Sequence, residues 1–290
     1  MNARAYRQNQ WAKTMLKLGS VSCLAFCLVV ALWSGAARAQ PVPVGEIYTT
    51  QSVVTGFDER NRPLGFRLCF DDVLVKASGD GSVVDDKRFA AYEAKAGEYI
   101  DTFSYRDKLF GKPIHDEQGS YDRPHFLTCR FNPKKIDDIL QSMGRKPWPT
   151  PRPELAMVLS VHGRKVSGVL SSDGAFDPDM RESLATAARR YGVVVNLPSA
   201  AALKENQIDA SAAAAIAADS LQKLAAASHS TLPLAGDLNW SDAAHGWVAT
   251  WSLDANGQHF KWKVAGVNYD EAFRVAVRGA GRALSGNGTP

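Results

Sequence analysis

The 290-residue chain has 34 Lys and Arg against 30 Asp and Glu, with 45% apolar and 22% charged residues. That is ordinary globular composition, enough for one large domain or two modest ones, and it excludes wholesale disorder. The basic excess is local: residues 1–39 hold five Lys or Arg and no acid, which leaves 29 basic against 30 acidic residues in the remainder, so nucleic-acid binding through a basic surface loses its support.

The first stretch carries Arg4, Arg7, Lys13 and Lys17, then the apolar run Val21–Trp33, then SGAARA ending in Ala37-Arg38-Ala39. A basic region, an apolar region and a small-x-small site, in that order, predict a secretory signal peptide over 1–39, cleaved between Ala39 and Gln40. The expected location is therefore the periplasm of a cell envelope. The apolar run is shorter than the roughly 20 residues that a membrane span needs; an uncleaved segment associated with the inner membrane is the alternative. Cys23 and Cys27 lie inside the signal, and neither ends a lipoprotein-type pattern. Cys69 and Cys129 remain, in a compartment where thiols within reach tend to close.

Beyond the signal, a Pro-rich lead precedes a strand over Ile47–Thr55. Asn61 and Pro63 start a helix that stops at Gly79, and its phase puts Cys69 on one face with Phe66, Val73 and Ala77. The segment 85–100 reads as a second helix with Phe89, Ala96 and Tyr99 or Ile100 inward, running into a strand. After a polar loop comes the strand HFLTCRF, where Cys129 alternates with Leu127 and Phe131. Both thiols thus point to the core. A bridge between them would close a loop of about 60 residues and stabilise by about 4 kcal/mol on the chain-entropy account; two buried free thiols are the alternative. NPKKIDDILQSMG is a helix capped by Asn132, with Pro133 first, Gly144 as stop, and Ile136, Ile139, Leu140 and Met143 on one stripe.

Four prolines in PWPTPRP, residues 147–153, mark a stiff link between an N-terminal half (40–146) and a C-terminal half (154–286), with a frayed tail at 287–290. The second half opens with ELAMVLSV and KVSGVLSS as a strand pair. A helix follows with Asp177 as cap, Pro178 first and Gly192 as stop, then a short strand VVVNLP. The alanine-rich run from Asp209 is a helix, LPLAGDLNW a strand, and NYDEAFRVAVRGAGRAL a closing helix with Asn268 and Glu271 spaced as in a capping box. The fold class is α/β (α+β): two small mixed-sheet layers with helices packed on them, and a C-terminal antiparallel hairpin covered by the final helix.

That hairpin, Gly246–Gly266, contains three of the seven tryptophans. Asn256-Gly257 demands a type I′ turn, and centring it there pairs Ala255 with Gln258, Leu253 with Phe260, Trp251 with Trp262 and Ala249 with Val264. These residues share one face, so the tryptophans are read as core under Phe273, Val277, Ala280 and Leu284 rather than as a stacking platform for glycans or peptides.

Reactive constellations are sparse. The histidines 115, 125, 162, 229, 245 and 259 show no H-E-x-x-H spacing, and there is no C-x-x-C or G-x-S-x-G. Ser220-Leu221-Gln222-Lys223 matches S-x-x-K without its companion motifs and reads as the polar side of a helix. GDGS at 79–82 reads as a turn. Asp71-Asp72 and Asp137-Asp138 lie on helices where neighbours diverge by about 100°, which suits a solvated face. No catalytic, cofactor or metal residues are assigned.

Several stretches together carry a resemblance: RPLGFRLCFDDVLVKASGD, HFLTCRFNPKKIDDILQSMGRKPW, PELAMVLSV, AARRYGVVVNLP and HGWVATWSLDANGQHFKWKVAGVNYDEAF. By their order and spacing the chain resembles the bacterial envelope proteins grouped as domain-of-unknown-function family 2066. The resemblance implies an exported mixed α/β protein and supplies no catalytic residues. The expected function is that of a non-enzymatic periplasmic scaffold or accessory protein with envelope protein partners. A periplasmic hydrolase using Ser220 and Lys223, or a glycan-binding protein, is the alternative.

Overall fold

In the computed structural model, residues 44–111, 123–210 and 216–290 are described, and all lie in one unit, Pro41–Pro290. The expected signal segment 1–39, with its expected Ala39–Gln40 junction, and the stretch 211–215 of the alanine-rich run lie outside the described residues.

The first layer is a three-stranded antiparallel sheet of β1 (Thr49–Thr55), β2 (Ile100–Asp107) and β3 (Pro124–Phe131), in the order β1-β3-β2. Helix α1 (Arg62–Ser78) lies on its inner face. The helix approaches closely because Gly65 has no side chain; a Cβ there would run into Leu127 and Val54. Cys69, Val73 and Ala77 are buried as the phase required, and Gly79 ends the helix at φ 68°. Helix α2 (Pro133–Ser142) starts on Asn132, whose side chain accepts from the Lys135 amide. Its apolar stripe Ile136, Ile139, Leu140 and Met143 is buried.

Two expectations for this layer are revised. The strand begins at Thr49, because Val44–Ile47 forms a helical turn. The expected helix over 85–100 is broken into a turn at Phe89–Glu93 and a 3-10 turn at Ala96–Tyr99. Phe89 and Ala96 still point inward, but Gly97 packs against the Phe66 ring and Ile100 opens β2, so no regular helix runs through.

The second layer contains β4 (Glu154–His162), β5 (Ser167–Val169), β6 (Val194–Asn196), β7 (Leu232–Ser241), β8 (Gly246–Ala255) and β9 (Gln258–Val267). Its order is β5-β4-β7-β8-β9, with β6 also on β4; β4 runs parallel to β6 and β7, and the other pairs are antiparallel. Helices α3 (Pro178–Tyr191) and α5 (Tyr269–Ser285) pack against each other, and α5 covers the β8–β9 hairpin. The opposite face is covered at β4 by the helical turn Ala200–Glu205 and by α4 (Ala218–Ala227), around Val158, Leu203 and Leu224.

The hairpin register is the one dictated by the Asn256-Gly257 turn, with Trp251 opposite Trp262 and Leu253 opposite Phe260. Trp251 is fully buried against Phe273, and the Trp262 indole donates to the Val275 carbonyl of α5. These tryptophans belong to the core, as their shared face required. The Asn268 side chain caps α5 by accepting from the Glu271 amide, while the Glu271 carboxylate turns to Arg274 instead of closing the box.

One apolar cluster runs through both layers, from Phe70 and Leu127 to Trp251 and Phe273. The Pro-rich segment is anchored in it. Trp148 is buried and donates its amide to Ala77, and Arg152 stacks over the Trp148 ring while donating to the carbonyls of Trp148, Lys76 and Gly192. Beyond α5, the Asn287 amide donates to Ser78 and Lys146 carbonyls and accepts from the Lys146 N–H.

The expected inner-membrane association through an uncleaved N-terminal segment requires correction. Among the described residues no helix is long and apolar enough to cross a membrane; the longest, α1 and α5, bury one face and leave charged residues on the other.

Candidate functional site

The most distinctive surface lies at the margin of the first layer. Residues 103, 105, 125, 127 and 129 occupy the inner face, since Phe103 pairs with Cys129, Tyr105 with Leu127 and Asp107 with His125. A single helix about 10 Å wide cannot cover three strands spaced about 4.8 Å apart along their full length. Helix α1 seals Leu127 and Cys129 and leaves the outer strand partly bare.

What remains uncovered is a row of rings in edge contact. Phe66 meets Phe103 at 5.1 Å between centroids, Phe103 meets Tyr105 at 6.0 Å, Tyr105 meets His125 at 6.4 Å, and His125 meets Phe57 at 5.4 Å. Phe57 is 66% exposed and Phe103 42%. Phe57 projects from the loop after β1, where Gly56 adopts φ 71° and its amide bonds to the Arg123 carbonyl. The row is edged by charge: the Arg62 guanidinium lies 5.1 Å over the Phe103 ring, and Arg123 pairs with Asp107 at 3.2 Å. Among the described residues, six of the seven exposed large apolar side chains fall between Val53 and Phe110, in this layer; the seventh is Val166. Rigid, half-exposed aromatics with a charged rim are the composition of a partner-binding surface.

Two polar hollows flank α3. The larger, about 550 Å³, is lined by Glu46, Asp72, Lys76, Arg189, Arg190 and several threonines. Three of its charged side chains are committed within the chain. Arg190 pairs with Asp72 at 2.9 Å, and the Lys76 ammonium donates to the Glu46 and Thr49 carbonyls, while burial lowers its pKa. In the smaller, about 370 Å³, the Ser183 hydroxyl donates to Asp270 at 2.5 Å. Neither lining contains a histidine or a cysteine.

Sequence reasoning missed one cluster of catalytic residue types, at the carboxyl ends of the parallel strands β4 and β7. The Ser160 hydroxyl donates to Asp237 at 2.7 Å, the same carboxylate oxygen lies 3.5 Å from His162 Nε2, and Asn239 donates to its other oxygen. The order is wrong for acyl transfer. The carboxylate stands between serine and imidazole, so His162 cannot take the serine proton, and Ser160 is fully buried. No spacing signal could have revealed it, because the residues meet only through the β4–β7 register.

The remaining sequence candidates are placed as follows. Lys223 is exposed and Ser220 half-buried on α4, away from the inward Leu224 and Ala225. The GDGS turn is a structural knot: Asp80 is buried and caps Ser82, and it pairs with Arg145 and Arg282. Asp137 bonds the Tyr48 hydroxyl and Asp138 bonds Lys134. Asp71 departs from the expected solvated face. Its Oδ1 has no partner, and burial, with Glu93 and Asp72 nearby, raises its pKa to about 6. Cys69 and Cys129 are both fully buried free thiols. Among the described residues, no group of three or more His, Cys, Asp or Glu is arranged to hold a metal ion.

Comparison with known proteins corrects the resemblance to family 2066, which rested on apolar pattern with Gly and Pro punctuation. No curated protein and no solved structure matches the chain. A different family's model matches residues 42–149, the span that contains the first layer and its aromatic row: in this region the chain is similar to the domain of unknown function DUF8605.

Proposed function

We propose that the protein is an exported, non-enzymatic envelope protein that binds a protein partner through the aromatic margin of its first layer. The observation that carries this reading is the row from Phe66 to Phe57, with Phe57 66% and Phe103 42% exposed beside Arg62 and the Arg123–Asp107 pair. Exposed aromatics anchored on a rigid sheet lose little entropy when a partner covers them. The basic-apolar-small order of residues 1–39 supports export. The reading as a binding protein is further supported by the linings of the two polar hollows, which hold neither histidine nor cysteine.

A photo-cross-linking amino acid placed at Phe57 or Phe103 in the native host tests the reading, with Lys223 on α4 as the control position. Mass spectrometry of the adducts should show one reproducible protein attached from 57 and 103 and not from 223. The same adducts from all three positions, or none from the first two, would overturn it.

A further inference from the structure

The fold brings together two thiols from elements far apart in the sequence. The Cys69 sulfur on α1 lies 3.5 Å from the Ser52 hydroxyl and 3.8 Å from the Leu127 carbonyl, and the Thr50 hydroxyl bonds the Cys69 carbonyl at 2.9 Å. Ser52 pairs with Leu127 across the sheet and Thr50 with Cys129. Cys69 therefore stands over the four-residue patch whose remaining corner is Cys129, on the same face as Leu127. Both sulfurs are fully buried, and the neighbouring Cys129 thiol lowers the pKa of Cys69.

We propose that Cys69 and Cys129 are a disulfide-forming pair that fastens α1 to β3 beneath the aromatic margin. The oxidant is a small or protein disulfide, RSSR. One cysteine thiolate attacks a sulfur of RSSR and expels RS⁻; the second thiolate then displaces the other RS⁻ from the mixed disulfide. The balance is two protein S–H bonds and one RSSR giving one protein S–S bond and two RSH. Because both sulfurs are sealed in the folded chain, the bridge closes during folding and then resists reductants. The Ser52 and Thr50 hydroxyls contact the sulfur and the carbonyl of Cys69 and so hold this turn of α1 against β1. A closed loop of this length restricts the unfolded chain far more than a local turn would.

The test uses the full chain with Cys23→Ser and Cys27→Ser, so that only the buried pair remains. It is refolded from denaturant in a buffer of oxidised and reduced glutathione. Intact mass should fall by two hydrogens, and alkylation in denaturant should modify neither thiol until a reductant is added. A non-reduced digest should contain the linked Cys69 and Cys129 peptides. Reductant should lower the denaturation midpoint, and this shift should vanish in Cys129→Ser. Two alkylated thiols after refolding, or glutathione adducts in place of the bridge, would overturn the proposal.

Discussion

The buried carboxylate of Asp80 stands 2.7 Å from Arg145 Nε, and Arg282 Nε approaches its other oxygen to 3.1 Å. One acid thus joins the turn after α1, the segment after α2, and α5. Removing one member of a buried ionic cluster leaves the others uncompensated. Asp80→Asn should therefore destabilise the fold by about 3–5 kcal/mol, read as a lower urea midpoint at unchanged slope. A near-neutral effect would show that water satisfies the two guanidinium groups.

Asp71 should impose the opposite pH dependence from most acids. Its folded-state pKa is raised from 3.8 to about 6, so the folded chain holds the proton more tightly than the unfolded chain does. The contribution is fully present below 3.8 and is lost as pH rises through about 6. Asp71→Asn should raise stability at pH 7 by on the order of 1 kcal/mol, after allowance for its partial exposure, and flatten that part of the pH–stability curve. Parallel urea titrations of the two proteins at pH 4.5 and 7.5 check this; equal differences at both values would contradict it.

Gly236 pairs with Trp251 across β7 and β8, and a Cβ at this glycine would enter the indole ring. Gly236→Ala should cost roughly 1–3 kcal/mol through overpacking, and Trp251→Ala about 3–5 kcal/mol through the cavity it opens. The two losses should not add, because the second substitution makes room for the first. Thermal denaturation of both single variants and the double variant measures the coupling.

At the aromatic margin, function and stability should separate. Phe57 is mostly solvated in the free protein, so Phe57→Ser should leave the denaturation midpoint within about 0.5 kcal/mol of the parent. The same change should abolish capture of the cross-linked partner. Phe103→Ala should weaken capture at a larger stability cost, since that ring also touches Phe66 and Tyr105. Midpoints and adduct yields measured on the same preparations distinguish a lost contact from a lost fold.

What was legible in the sequence was whatever depends on near neighbours. Asn132, Asp177 and Asn268 each cap the helix that follows them, and Gly79 and Gly192 end theirs in left-handed geometry. The Asn256-Gly257 turn set eight pairings of the last hairpin at once, up to the register shift between Trp247 and Val248. The short helix Ala200–Glu205 was missed although Ser199 accepts from the Ala202 amide, because six residues give too little apolar period to register. The contacts of Asp80 and Arg152 were invisible for another reason: their partners come from segments that no period links. The aromatic row was hidden too, because it depends on where α1 stops covering β2. Strand alternation assigns Phe103 and Tyr105 to the inner face without saying how far the helix reaches.

Strand β4 is buried over seven consecutive residues, Leu155–Val161, and its partners β5, β6 and β7 all follow it in the chain. A ribosome-bound or threading chain that has emerged only as far as β4 therefore displays an apolar ribbon with both edges unpaired, the kind of segment that aggregates or is held by a chaperone. The wait is longest on the β7 side, where α3, the Ala200–Glu205 turn and α4 must pass first. Fragments ending between β4 and β7 should collect in inclusion bodies, and the interval before β7 emerges is when the growing molecule most needs protection.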